Sequence, residues 1–123
     1  MWGIDFTGIG VAVITLLSAA GLVAADEGKV GKLSANDTVD LCDAEDIFYG
    51  VIDKVDLGGE VSAVQRKGFK EVAFSGAAPV AGFVELVADG LGGVKAPAVA
   101  GTGRMYDVVR VDEAAGTLVL DLG

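Results

Sequence analysis

The sequence predicts a mostly β protein: a small single-domain β-barrel or sandwich with short strands and glycine-rich turns. Three observations carry that expectation. The 19 glycines are spread through 123 residues without a period, which fits many tight turns rather than a repetitive fibre. Between them stand short runs rich in Val, Ile, Thr and Phe, several alternating apolar with polar residues. No window of helical period longer than about three turns occurs.

Taken in order, Gly10–Leu17 reads as the first strand, followed by a small-residue turn at Ser18–Gly21. Ser18–Ala25 has the most helical character in the chain, and it is short. A turn at Ala24–Gly28 leads to a short alternating strand, Lys29–Leu33. Ser34–Asp46 is polar and acidic and reads as a solvated loop with one short strand. Ile47–Leu57 is the next strand, with Gly58-Gly59 as a two-residue hairpin turn and Glu60–Arg66 returning. After Lys67-Gly68, Phe69–Phe74 forms a strand, Ser75–Gly82 a compact turn, and Phe83–Ala88 another strand. A turn-rich DGLGG segment precedes Val94-Lys95. The clearest hairpin closes the chain: Arg104–Asp112 faces Thr117–Leu122 across Glu113–Gly116. Turn signals roughly every 8–12 residues are the mark of small barrels and sandwiches. The division expected is an N-terminal arm, residues 1–10, and a β domain, residues 11–123.

Composition narrows function. A net charge of −9 repels phosphate backbones and argues against nucleic-acid binding. The basic trio Arg66, Lys67 and Lys70 reads as a solvated turn or a small local patch. Histidine is absent, which removes the commonest general base and metal ligand. A lone cysteine, Cys42, permits neither an internal disulfide nor a cysteine-rich zinc site. It reads as a small buried residue or a bystander in an acidic loop, and Asp40 and Asp43 would raise its pKa, the wrong direction for a reactive thiolate. Asp37, Asp40, Asp43, Glu45 and Asp46 lack the glycine and terminal glutamate of a calcium loop. The pairs Gly8-Ile9-Gly10 and Gly101-Thr102-Gly103 have no following helix and read as turns, not nucleotide loops. No enzyme, metal or cofactor is expected.

The uncharged run Thr7–Ala25 is long enough for a membrane span or signal peptide. Against both, no Lys or Arg precedes it, Asp5 stands where a positive charge belongs, and glycines mix with β-branched residues. A strand and turn, without a membrane and without cleavage, is the reading adopted. A small membrane-anchored β domain is kept as an alternative. A second alternative rests on Asp53-Lys54-Val55, which resembles the tripeptide at the tip of lipoyl-carrier domains. Lys54, however, falls inside an apparent strand, where a carrier lysine would need an exposed hairpin tip.

Larger stretches match another pattern. VAVITLLSAAGL is followed by Gly28–Ser34, then Asp43-Ala44, Tyr49–Ile52 and Gly59–Gln65 with Gly68. Ser75–Ala78, Gly82, Val87–Gly90, Gly93–Lys95 and the Val108–Leu122 hairpin complete it. From Val11 onward the chain resembles the head decoration, or capsid cement, proteins of tailed bacteriophages. The resemblance implies an auxiliary structural protein that docks as a homotrimer on the major capsid protein of an assembled shell. It would be made in the host cytoplasm and reside on the outer surface of the virion. The front end, Met1–Phe6, is more apolar than such a protein leads one to expect. Trp2, Ile4 and Phe6 are therefore expected in a protein contact, with capping of the protein's own barrel as the alternative.

Overall fold

The computed structural model describes residues 11–123. These are nearly all β, as expected, and the strands divide into two units that follow one another along the chain. The first is a closed barrel of β1 (Ala12–Ser18), β2 (Val30–Ala35), β3 (Thr38–Leu41), β4 (Gly50–Val55) and β5 (Val61–Lys67). Its order is β1-β3-β2-β4-β5, and β5 returns to pair antiparallel with β1. The second unit is a five-stranded sheet in the order β6-β10-β9-β7-β8. It comprises β6 (Phe69–Ala73), β7 (Gly82–Ala88), β8 (Val94–Lys95), β9 (Arg104–Asp112) and β10 (Thr117–Asp121).

Two apolar clusters explain why these units stay together. Leu22, Val39, Ile52, Val55 and Val64 fill the barrel. Val30, Cys42, Phe48 and Val51 turn outward from it and meet Val72, Leu86, Tyr106, Val108, Leu118 and Leu120 of the second sheet. β4 is the wall between them: Val51 belongs to one cluster and Ile52 to the other, so both faces of this strand are buried. That accounts for the consecutive apolar pair Val51-Ile52, where a half-exposed strand would alternate, while Asp53 and Lys54 further along β4 reach toward solvent. Each fully buried Val or Ile here contributes about 1.5–3 kcal/mol.

The barrel is narrow, and a pair of glycines makes room for its contents. Gly31 and Gly50 lie opposite one another on β2 and β4. A Cβ on Gly31 would fall 2.8 Å from Val39 Cγ2, and one on Gly50 would fall 2.5 Å from the Gln65 carbonyl oxygen and 2.8 Å from Val64 Cγ1. The two units join through one residue. Gly68, at φ 89°, turns the chain from β5 into β6. The buried Gln65 side chain braces this corner, its Nε2 donating to the carbonyls of Lys67 (3.0 Å) and Phe69 (3.1 Å).

Three local expectations are corrected. The strand expected over Ile47–Leu57 begins at Gly50 instead. Residues 45–49 are tied elsewhere: Glu45 N–H donates to Ala88 O, Ala88 N–H to Asp46 O, and Tyr49 N–H to Gly31 O. Phe48 is drawn into the inter-sheet core, stacked on Tyr106 at 4.8 Å between ring centroids. The two-residue turn at Gly58-Gly59 is a longer connection over residues 56–60. Asp56 organises it, its Oδ1 accepting from Glu60 N–H (2.8 Å) and Val61 N–H (3.3 Å). The expected helical character of Ser18–Ala25 reduces to one 3-10 turn, Ala24–Asp26.

Candidate protein-interaction surface

Trp2, Ile4 and Phe6, the residues singled out for an interface, lie outside the described residues. The described chain begins at Val11 and passes at once into β1, a barrel strand paired along its length on one side only. β1 pairs with β5 from Ala12 to Leu17. On its other side it meets β3 in parallel at Leu17↔Thr38 and Ser18↔Val39 alone. Ala12–Leu16 therefore presents one backbone edge without a ladder partner among the described residues. Its side chains are also unusually apolar for a surface: Val13 is 44% exposed, Ile14 37% and Leu17 54%. Val11, just before the strand, is exposed as well. Open, apolar edges are what proteins ordinarily blunt with charge, proline or bulges. Here there is one register shift, between Ala12 and Val13, and no charged residue on the strand.

A second exposed apolar area lies on the other unit. The register Phe83↔Asp107 and Glu85↔Met105 puts Phe83 and Met105 on the same face of β7 and β9 as diagonal neighbours. Phe83 is 76% exposed and Val80, just before the strand, is exposed too. Sequence reading did not single out β1 or Phe83. The available signal in β1 was an apolar run with no polar alternation.

The acidic segment is pinned to the body by lysines. Lys32 Nζ donates to Asp43 (3.0 Å) and Asp46 (3.1 Å), and Lys95 pairs with Glu45. The N–H of Asp43, together with Lys32, holds the Asp46 carboxyl below the usual carboxylate range despite opposing burial. Lys95 and the N–H of Ala98 do the same for Glu45. No group of three metal-ligating side chains occurs among the described residues. Cys42 is buried, and its thiol is pushed up to about 12, first by that burial and then by Asp46, Asp43 and Asp40.

The basic trio is dispersed by the fold. Arg66 donates from Nε to Tyr49 O (2.8 Å) and lies 3.6 Å over the Tyr49 ring, while Lys70 pairs with Asp53. Lys54 sits exposed within β4, before the 56–60 connection rather than at its tip. Of the apolar run Thr7–Ala25, residues Ala12–Ser18 form β1. No helix among the described residues is long and apolar enough to cross a membrane. No protein-family model matches the chain, and no curated protein matches it at a significant level.

Proposed function

We propose that this protein is a decoration protein that binds the outside of an assembled phage capsid and stabilises the shell, acting as a homotrimer on the major capsid protein. The observation that carries this reading is the open apolar edge of β1, which continues directly from the apolar N-terminal segment. A strand edge offers main-chain hydrogen bonds to an added strand, and the exposed Val13, Ile14 and Leu17 offer contact area beside it. Placed on a body of net charge −9, this edge suits a protein partner better than a polyanion. A trimer engaging several capsid subunits at once gains avidity by effective concentration and stabilises the bound form of the shell by mass action.

Co-sedimentation with shells assembled from a tailed-phage major capsid protein, sought in the neighbouring reading frames, tests the reading. The full chain should pellet saturably with shells and sediment alone as a species three times its 12.4 kDa mass. Removal of Met1–Phe6 should leave a folded protein that binds shells at least about tenfold more weakly, a loss of about 1.4 kcal/mol. No saturable binding by the full chain would overturn the function. Unchanged affinity in the truncated protein would overturn the role of Trp2, Ile4 and Phe6.

A further inference from the structure

On this strongly acidic protein, cations converge on one cleft. It has a volume of about 430 Å³ and lies where β2, the 46–49 segment, β5 and the start of β9 meet. Lys32, Arg66 and Arg104 line it, with Asp46 as the opposing charge. Asp46 is already engaged: its Oδ2 accepts from Lys32 Nζ and from the N–H of Asp43 (2.8 Å). The two arginines have no such carboxylate. Neither makes an ion pair among the described residues, although acids outnumber bases two to one in the chain, 18 against 9. Their guanidiniums are nevertheless held in place by aromatic faces. Arg66 lies over Tyr49, and Arg104 lies 5.3 Å from the centroid of the Tyr106 ring.

Behind Arg104, Tyr106 is 3% exposed; its buried hydroxyl meets no strict hydrogen-bond geometry among the described residues and interacts with the Arg104 side chain. Burial raises the Tyr106 phenol above its ordinary value, while the charge and hydrogen bonding of Arg104 and the charge of Arg66 act in the opposite sense. Arg66 spends its Nε–H on the Tyr49 carbonyl, so the cleft holds two preorganised guanidiniums whose charge no carboxylate pairs among the described residues. The walls narrow the choice of acceptor. Leu33 and Ile47 stand half exposed at the cleft and offer apolar surface to a hydrocarbon stem. The cleft is shallow, too open to enclose most of a small ligand's surface. The surrounding negative charge disfavours a polyanion more than a single carboxylate.

We propose that this cleft is a docking site for an acidic side chain presented by another protein surface, with Arg104 and Arg66 as the carboxylate-binding pair and Leu33 and Ile47 against its methylenes. Planar guanidinium forks match carboxylate geometry in a way that ammonium groups do not. This holds whether or not the partner is a phage shell.

The test is nuclear magnetic resonance of the full, ¹⁵N-labelled protein, following the arginine Nε–Hε signals at constant ionic strength. The probes are a blocked glutamate peptide, succinate and inorganic phosphate. The peptide should shift the Arg66 and Arg104 signals saturably. Arg104→Gln, a change at an exposed position, should weaken the response at least fivefold, and Arg104→Lys should recover part of it. A dispersed amide spectrum confirms that each variant is folded, and Arg66→Lys serves as the independent second variant. Absence of a saturable shift, or equal responses in wild type, Arg104→Gln and Arg66→Lys, overturns the site. Tighter binding of phosphate than of the peptide overturns the carboxylate assignment. Tighter binding of succinate overturns the protein-surface source.

Discussion

Replacing Gly50 with alanine places one methyl group at the start of β4, directly against β5. The added carbon would stand 2.5 Å from the Gln65 carbonyl oxygen and 2.8 Å from Val64 Cγ1. The first obstacle is backbone, so no rotamer change relieves it. β4 must move away from β5 beside Val51↔Gln65, or Val64 must leave its place in the barrel. Overpacking of this kind costs about 1–3 kcal/mol. Loss of one ladder hydrogen bond adds about 1 kcal/mol, giving about 2–4 kcal/mol in all. With an unfolding entropy of about 2.1 cal/mol/K per residue, that lowers the melting temperature by about 8–15 °C. Gly58 is the matched control. Its nearest neighbours to an added Cβ are at 3.7 and 3.9 Å and its backbone is not in the left-handed region, so Gly58→Ala should be neutral or slightly stabilising. Thermal unfolding followed by far-ultraviolet circular dichroism measures both. A melting temperature for Gly50→Ala within about 2 °C of wild type would refute the packing argument.

Acid should unfold the protein through its paired carboxylates. Asp26 is held below its ordinary value chiefly by the Lys29 hydrogen bond, and Glu45 and Asp46 are held down as described above. Folded values below the unfolded ones mean that the stabilisation is complete above the ordinary range, 3.8 for Asp and 4.5 for Glu, and is lost as pH falls through the folded values. Melting temperatures should therefore decline from about pH 5 downward, and less steeply in Asp26→Asn; identical slopes would show that the pair contributes nothing. Cys42 should react with a thiol-specific disulfide reagent at neutral pH far more slowly in the native protein than in denaturant, because it is buried and titrates at about 12. Equal rates in the two states would contradict that placement.

Strands with simple alternation and strong turn residues were legible. The Arg104–Asp112 and Thr117–Asp121 hairpin falls almost where its residues place it, because its apolar positions alternate and Gly116 adopts the positive φ that its turn requires. Ile47–Tyr49 was not legible as non-strand. Its β propensity is high, and tertiary contacts of Phe48 and the loop hydrogen bonds to Gly31 and Ala88 override it. Barrel closure was equally hidden, since it rests on β1 meeting β5 along its length and β3 over two residue pairs. Neither contact leaves a local trace. The cationic cleft combines Lys32, Arg66 and Arg104, which are far apart in sequence and look like scattered surface charges until β2, β5 and β9 bring them together. The edge of β1 was half visible: its apolar run was noted, whereas its exposure depends on which neighbours the strand lacks.

The passage from barrel to sheet through Gly68 alone has a consequence for how the chain is made. Every barrel pairing is complete once β5 has been synthesised, and none waits for a residue beyond Lys67. Growth from the N-terminus can thus finish the first unit while fifty-odd residues are still to come, an interval of roughly 3–11 s at 5–20 residues per second. During that interval Val30, Phe48 and Val51 have no second sheet to cover them. The nascent protein then carries a closed ladder on an uncovered greasy face, a species that calls for a chaperone or a slow neighbour. Ribosome-stalled chains that expose residues 1–67 should resist protease along the barrel while binding a hydrophobic dye. Digestion of those chains as fast as an unfolded control would show that the barrel waits for the sheet.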